Sequence, residues 1–262
     1  MHEGMSAPLT AFRLVLTLPV GLAAAALATL ATPAPASPLT LREQLMSERG
    51  EGRRPAPPVI AHYQMDQGGG FILDRSTPQP LMKFEDSPEI FVLQPAPGPR
   101  GDTIYRDDLG EPMLRATRLG GMTVFTDRRP DGSAAALQGP SPPLRIPPLS
   151  PAALFNRFYQ ASVRASRAAQ HEVGFETRED AEPATAAMLA DAAVVTGEAL
   201  VDIAARPDGK TILGRVADVI IAQGSRPEVS LQKGVLTVTI VPAHGVAGRP
   251  SSHRIEKAAG AR

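Results

Sequence analysis

The chain is predicted to fold as an α+β protein: an N-terminal antiparallel β meander or barrel-like sheet, then a mostly helical part with a terminal β-hairpin. Three observations carry this expectation. Between residues 59 and 137, short apolar-alternating runs are separated by glycine and proline turns. At Ser150-Pro151 a helix start opens a stripe at helical spacing. Near the C-terminus, two β-branched runs flank Lys233-Gly234.

Taken in order, residues 1–36 have the three parts of a secretory signal peptide. Arg13 precedes an apolar run from Leu14 to Ala31, and Ala34-Pro35-Ala36 stands before Ser37 as a small-x-small cleavage site. The alternative is an uncleaved inner-membrane anchor, which Pro19, Gly21 and the alanine-rich second half of the run weaken. Residues 37–58 read as a short helix and a proline-rich linker, with Thr40 and Glu43 at capping-box spacing. Residues 59–137 form the β-rich domain, with strands expected at 60–65, 71–74, 81–85, 90–94, 103–106, 113–118 and 122–126. A shift of 32 residues lays Ile72 on Ile104, Leu81-Met-Lys83 on Met113-Leu-Arg115 and Val92 on Val124, the pattern of an internal repeat.

Residues 138–151 hold a proline-rich linker, stiff and extended, which serves as a domain boundary or as a strap along one domain. Residues 152–241 make the helical part with its hairpin. Its first helix carries Leu154, Phe158, Ala161 and Ala165 as a stripe, broadened by Phe155 and Tyr159. A polar loop over 172–182 leads to a second helix from Pro183 to Ala205, apolar on most faces and expected at the buried centre. Asp208 caps a short third helix, and 216–222 is open between helix and strand. Glu228–Gln232 and 235–241 form the hairpin. Residues 242–262 read as a flexible tail with one helical stretch near 250–259.

Composition limits function. The chain has 27 basic and 27 acidic residues, and loss of Glu3 and Arg13 with the signal leaves it neutral. Nucleic-acid binding by phosphate neutralisation is therefore disfavoured, and the absence of Trp argues against a base-stacking platform. With no Cys there is neither a disulfide nor a lipidation site. Lysine occurs only at 83, 210, 233 and 257, and the excess of Arg, Ala, Gly and Pro points to a GC-rich bacterial genome.

Motifs that could carry chemistry fail on context. The run from Ala204 to Thr211 fits a relaxed phosphate-loop pattern, but it follows a helical segment and Pro207 removes one N–H, so no nucleotide is expected. Ser230 and Lys233 have serine–lysine spacing, yet in a hairpin they point apart. His62, His171, His244 and His253 are dispersed without a zinc pattern, so no metal or other cofactor is expected; His171 suits a helix C-terminus. Glu85-Asp86 and Asp107-Asp108 read as solvated turn acids rather than a two-carboxylate site. Arg100-Gly-Asp102, an adhesion tripeptide elsewhere, reads as a loop entering a strand. Arg157, Arg164 and Arg167 line the polar side of the first long helix, either as an anionic-lipid patch or as a solvated face paired with Glu176, Glu179, Asp180 and Glu182. No catalytic, cofactor-binding or metal residue is nominated.

Phe71-Ile-Leu-Asp, the run from Pro99 to Gly121, and Gly234-Val-Leu-Thr-Val-Thr-Ile with Gly248-Arg-Pro-Ser-Ser252 resemble an uncharacterised family of exported bacterial proteins classed as a domain of unknown function. That resemblance implies no activity. The expectation is an exported periplasmic, secreted or envelope protein with a non-catalytic binding or structural role. Its partner would be another envelope protein or envelope component, with no membrane span once the signal is removed. The alternatives are a hydrolase with a dispersed acid/His site acting on cell-wall material, and a peptidase inhibitor presenting residues 95–101 as a rigid loop.

Overall fold

A computed structural model describes residues 56–178 and 182–260. The expected signal peptide, the cleavage residues Ala34, Ala36 and Ser37, and the short helix after them lie outside the described residues. The described residues all fall in one compact unit.

The first half is a nearly closed antiparallel sheet of nine strands: β1 (Ile60–Met65), β2 (Gly70–Asp74), β3 (Leu81–Phe84), β4 (Phe91–Val92), β5 (Gln94–Pro97), β6 (Thr103–Arg106), β7 (Pro112–Ala116), β8 (Met122–Thr126) and β9 (Arg129–Pro140). Their spatial order is β4-β3-β2-β1-β9-β8-β7-β6-β5. The two edges, β4 and β5, are separated in sequence by Leu93 alone. The sheet must therefore curl until its edges meet, and a barrel is the arrangement that leaves no exposed edge. β4 pairs with β3 and β5 with β6, so one interrupted strand hands its hydrogen bonds from one neighbour to the other. Alternation then points Ala61, Tyr63, Phe71, Leu73, Met82, Tyr105, Leu114 and Val124 into a common interior.

The central pair of each barrel half shares its register. Ile72 faces Lys83 and Leu73 faces Met82; 32 residues on, Ile104 faces Arg115 and Tyr105 faces Leu114. A bulge after Tyr105 then breaks the correspondence. The longest strand, β9, was not expected from the sequence. It runs through residues read as the end of the β domain and into the segment assigned to the linker. Its Gly132, Ala134-Ala-Ala136 and Gly139 give no period-2 signal, and its ladder partners β8 and β1 alone hold it extended.

From Ser141 the chain leaves the barrel as a strap. Leu144 donates its N–H to Asp74 at 3.0 Å, and Ile146 and Leu149 pack on the helical core. Helix α1 (Pro151–Ala169) starts where expected, with the Ser150 hydroxyl accepting from Ala153 N and Pro151 in the first turn. Leu154, Phe158, Ala161 and Ala165 are its buried stripe. Phe155 and Tyr159, expected to broaden that stripe, are instead 71% and 63% exposed.

Helix α2 (Pro183–Ala204) is buried along most of its length, as its all-round apolar pattern required. Gly197 lets α1 approach closely: a Cβ there would stand 3.3 Å from Ala161 Cα. A four-stranded sheet lies beside the helices in the order β10-β11-β13-β12, made of β10 (Gly174–Thr177), β11 (Asp218–Gln223), β12 (Glu228–Gln232) and β13 (Val235–Ile240). β10 lies within the segment read as a polar loop; β11 resolves the ambiguous run as a strand. The hairpin turns at Lys233-Gly234, both at positive φ. Short α3 (Gly209–Leu213) links α2 to β11.

The helical stretch expected near 250–259 is present, and the segment around it, expected to be flexible, packs into the core as far as Ala259. A 3-10 segment, Pro242–Gly248, leads to α4 (Ser252–Ala259), and Arg249, Ser251, Ser252, Ile255, Glu256 and Ala259 are buried. Polar composition hid this, because the burial rests on charge pairing with turns far away in sequence.

Candidate functional site

The densest chemistry lies where the C-terminal segment meets one end of the barrel. The β6–β7 turn offers Asp107 and Asp108 to the start of α4. Asp107 is 1% exposed; its carboxylate accepts from Leu109 N at 2.9 Å and Glu111 N at 2.8 Å, and from His253 Nδ1 at 2.8 Å. Asp108 accepts from the Ser251 hydroxyl and from Arg254 Nε, the latter at 2.7 Å. Ser251 also caps α4, accepting from Arg254 N at 3.1 Å. The acids expected to be solvated in a turn are thus ion-paired across the junction, a result no local pattern could show.

Arg249 is the centre of this junction, with a side chain only 2% exposed. It donates to Asp191 of α2, to Glu89 at 3.1 Å and to the carbonyls of Pro250 and Ile90. Glu89 also accepts from Ser252 N at 3.1 Å. A charge so deeply buried requires this number of partners.

Titration follows from the same contacts. Burial opposes the charge on His253, but its bond to Asp107 and the field of Glu89 push its pKa up to about 9. Burial likewise opposes ionisation of Asp107, yet the His253 and Glu111 bonds hold its pKa below the usual range. Burial raises Glu256 to about 7, helped by Asp202 and Asp127 and opposed by His253 and Arg206. Asp202 is raised too, by burial and then by Glu198 and Asp127.

A cleft of about 190 Å³ opens beside this network at the barrel seam, lined among others by Gln79, Val92, Gln94, Asp107, Asp108 and Arg254. A wider groove of about 410 Å³ lies between α1 and β10, floored by Leu154, Phe158 and Phe175 and flanked by the exposed Phe155 and Tyr159.

The other sequence candidates are scattered. His62 pairs with Glu85 at 2.8 Å, and His171 bonds the Val216 carbonyl at 2.8 Å and that of Ala169, at the end of α1, at 3.1 Å. His244 is exposed in the 3-10 segment. The phosphate-loop pattern follows α2 rather than a strand, and a Cβ at Gly209 would stand 2.0 Å from the Ile203 carbonyl oxygen. That glycine serves close packing. Ser230 is on β12 and Lys233 in the turn. Asp102 is buried and bonded by Arg115 Nε at 2.7 Å, so the Arg-Gly-Asp carboxylate is not presented to a partner. The nominated inhibitor loop is half strand: Gln94–Pro97 pairs with β6, and only the turn Pro99–Gly101 projects.

Arg157, Arg164 and Arg167 are exposed on α1. Arg164 pairs with Glu198 of α2. Among the described residues no group of His, Asp and Glu is placed to hold a metal ion, and no helix is long and apolar enough to cross a membrane.

No curated protein and no solved structure matches the chain. Residues 40–259 match the family described as Domain of unknown function (DUF4908), and the chain belongs to that family.

Proposed function

We propose that this is an exported envelope protein with a non-catalytic binding or structural role. The observation that carries the non-catalytic part is the state of the junction. Arg249 is held by Glu89 and Asp191, Asp107 by His253, and Asp108 by Ser251 and Arg254, so ion pairs join barrel and helices, which is what a permanent clamp requires. His253, its pKa pushed up to about 9 by Asp107 and Glu89, is engaged in an ion pair with Asp107 rather than held as a free base. Export rests on the N-terminal pattern around Arg13, Leu14 to Ala31 and Ala34-Pro35-Ala36. The location that follows is the periplasm or medium, with an inner-membrane anchor as the alternative if the leader stays attached. Intact mass and N-terminal sequencing of the protein from fractionated cells test this. A chain starting at Ser37 supports export, and a full-length soluble chain refutes it.

One observation favours the second reading, a hydrolase acting on cell-wall material. Asp107 and His253 converge from a turn and a helix beside a cleft. Purified protein incubated with cell-wall sacculi should release no soluble fragments. Release that disappears in His253→Gln, with the fold intact, would establish the hydrolase instead.

A further inference from the structure

The barrel segregates its charge by end. Successive strands run up and down, so alternate turns share a rim. The turns at 66–69, 85–90, 107–111 and 127–128 form the junction rim; their charged residues are all acids except Arg128. They receive Arg249, His253 and Arg254. The turns at 75–80, 98–102 and 117–121 form the opposite rim, with the approach to β1 and the start of the strap. Their charged residues are Arg75, Arg100, Arg118, Arg145 and one acid, Asp102. Asp102 and the neighbouring Asp74 are both buried. Arg115 and Arg118 N bind the first, and Ser76 and Leu144 N bind the second. Counting Arg115, five arginines thus face two carboxylates, and the rim keeps a net positive charge although Asp102 attracts Arg100 and Asp74 attracts Arg145.

Apolar surface coincides with that charge. Leu119, at the tip of the β7–β8 turn beside Arg118, is 90% exposed, and Val59 at the same rim is 58% exposed. Arg100 occupies the left-handed region at φ 59°, a conformation a non-glycine residue adopts at a cost. A cationic rim tipped by a protruding leucine is the chemistry that recognises a bilayer interface bearing negative headgroups.

We propose that this rim docks the barrel end-on to an anionic phospholipid surface, with Leu119 entering the headgroup boundary and the exposed Arg100, Arg118 and Arg145 facing lipid phosphates, while Arg75 is bonded to the Pro58 carbonyl. This goes beyond the export reading and does not rest on it, because vesicle binding is measured on purified protein. The α1 arginines are the natural control. Arg164 is neutralised by Glu198, and the aromatic groove beside that helix contains Glu176.

The test is co-sedimentation of the full chain with vesicles of phosphatidylglycerol and phosphatidylcholine against pure phosphatidylcholine. Binding should require the anionic lipid and fall sharply between 0.1 M and 0.5 M salt. Arg100→Glu with Arg118→Glu should weaken it by at least about 25-fold, at about fivefold per lost arginine, and Leu119→Ser should weaken it several-fold. Arg157→Glu with Arg167→Glu, an equal change in net charge, should leave it unchanged. All these sites are exposed, and an unaltered melting temperature confirms that each variant is folded. Equal loss in the α1 variant, undiminished binding in the rim variant, or full displacement by duplex DNA would each overturn the proposal.

Discussion

His253 and Glu256 stand one turn apart on α4, and both have folded-state pKa values above their ordinary ones. A group whose pKa is raised on folding contributes stability that is complete below its unfolded value and lost as pH rises through the folded value. For Glu256 that window runs from 4.5 to about 7, and for His253 from 6.5 to about 9. Thermal stability should therefore fall steadily from pH 5 to pH 9. Glu256→Gln keeps the shape and removes the titration. It should match the native protein at pH 4.5 and exceed it at pH 8 by on the order of 1–3 kcal/mol in urea unfolding. Tyr63 gives an opposite case to the paired groups. Its ring stacks on Phe71 at 5.2 Å between centroids, while its hydroxyl is buried without a hydrogen-bond partner. Tyr63→Phe should be neutral or stabilising by about 1 kcal/mol, since it removes an unsatisfied polar atom and keeps the ring.

Among the elements, α4 shows how a short helix is held. Ser251 caps it, Asp108 braces the cap, and Arg249, two residues before the cap, is bound to Glu89 and Asp191. Arg249→Met would leave two carboxylates facing a vacated apolar side chain and should cost about 3–5 kcal/mol, read from the urea midpoint. Ser251→Ala loses only the cap and one bond to Asp108, and should cost about 1–2 kcal/mol. The α1–α2 crossing is limited by volume rather than charge. Gly197→Val would push against the Ala161 backbone and should cost about 1–3 kcal/mol by overpacking. Much at this scale was legible in the sequence, because caps, stripes and tight turns are local signals. Ser150-Pro151, the Leu154/Phe158/Ala161/Ala165 stripe and Lys233-Gly234 each stand where their residue chemistry predicts. β9 and β10 were not legible. Alanine and glycine in the one, and only four residues in the other, leave too little periodicity to read without their ladder partners.

Across the whole molecule, barrel and helices form one unit, joined by the clamp at the junction rim and by the strap from Ser141 to Ser150. Calorimetry should show one cooperative transition, and Arg249→Met should split or broaden it by weakening the contact between the two cores. By itself the sequence determined the α+β class, the main helices, the hairpin and most barrel strands, because each rests on periodicity or turn chemistry within a few residues. The proposal of export rests only on the order of Arg13, the apolar run and Ala34-Pro35-Ala36 along the chain. Only the tertiary structure decided that Asp107 meets His253, that Arg249 is buried between Glu89 and Asp191, and that acidic and basic turns sort to opposite ends of one barrel. These depend on strand count, pairing order and register, which place residues more than 140 positions apart in contact and which no local pattern encodes.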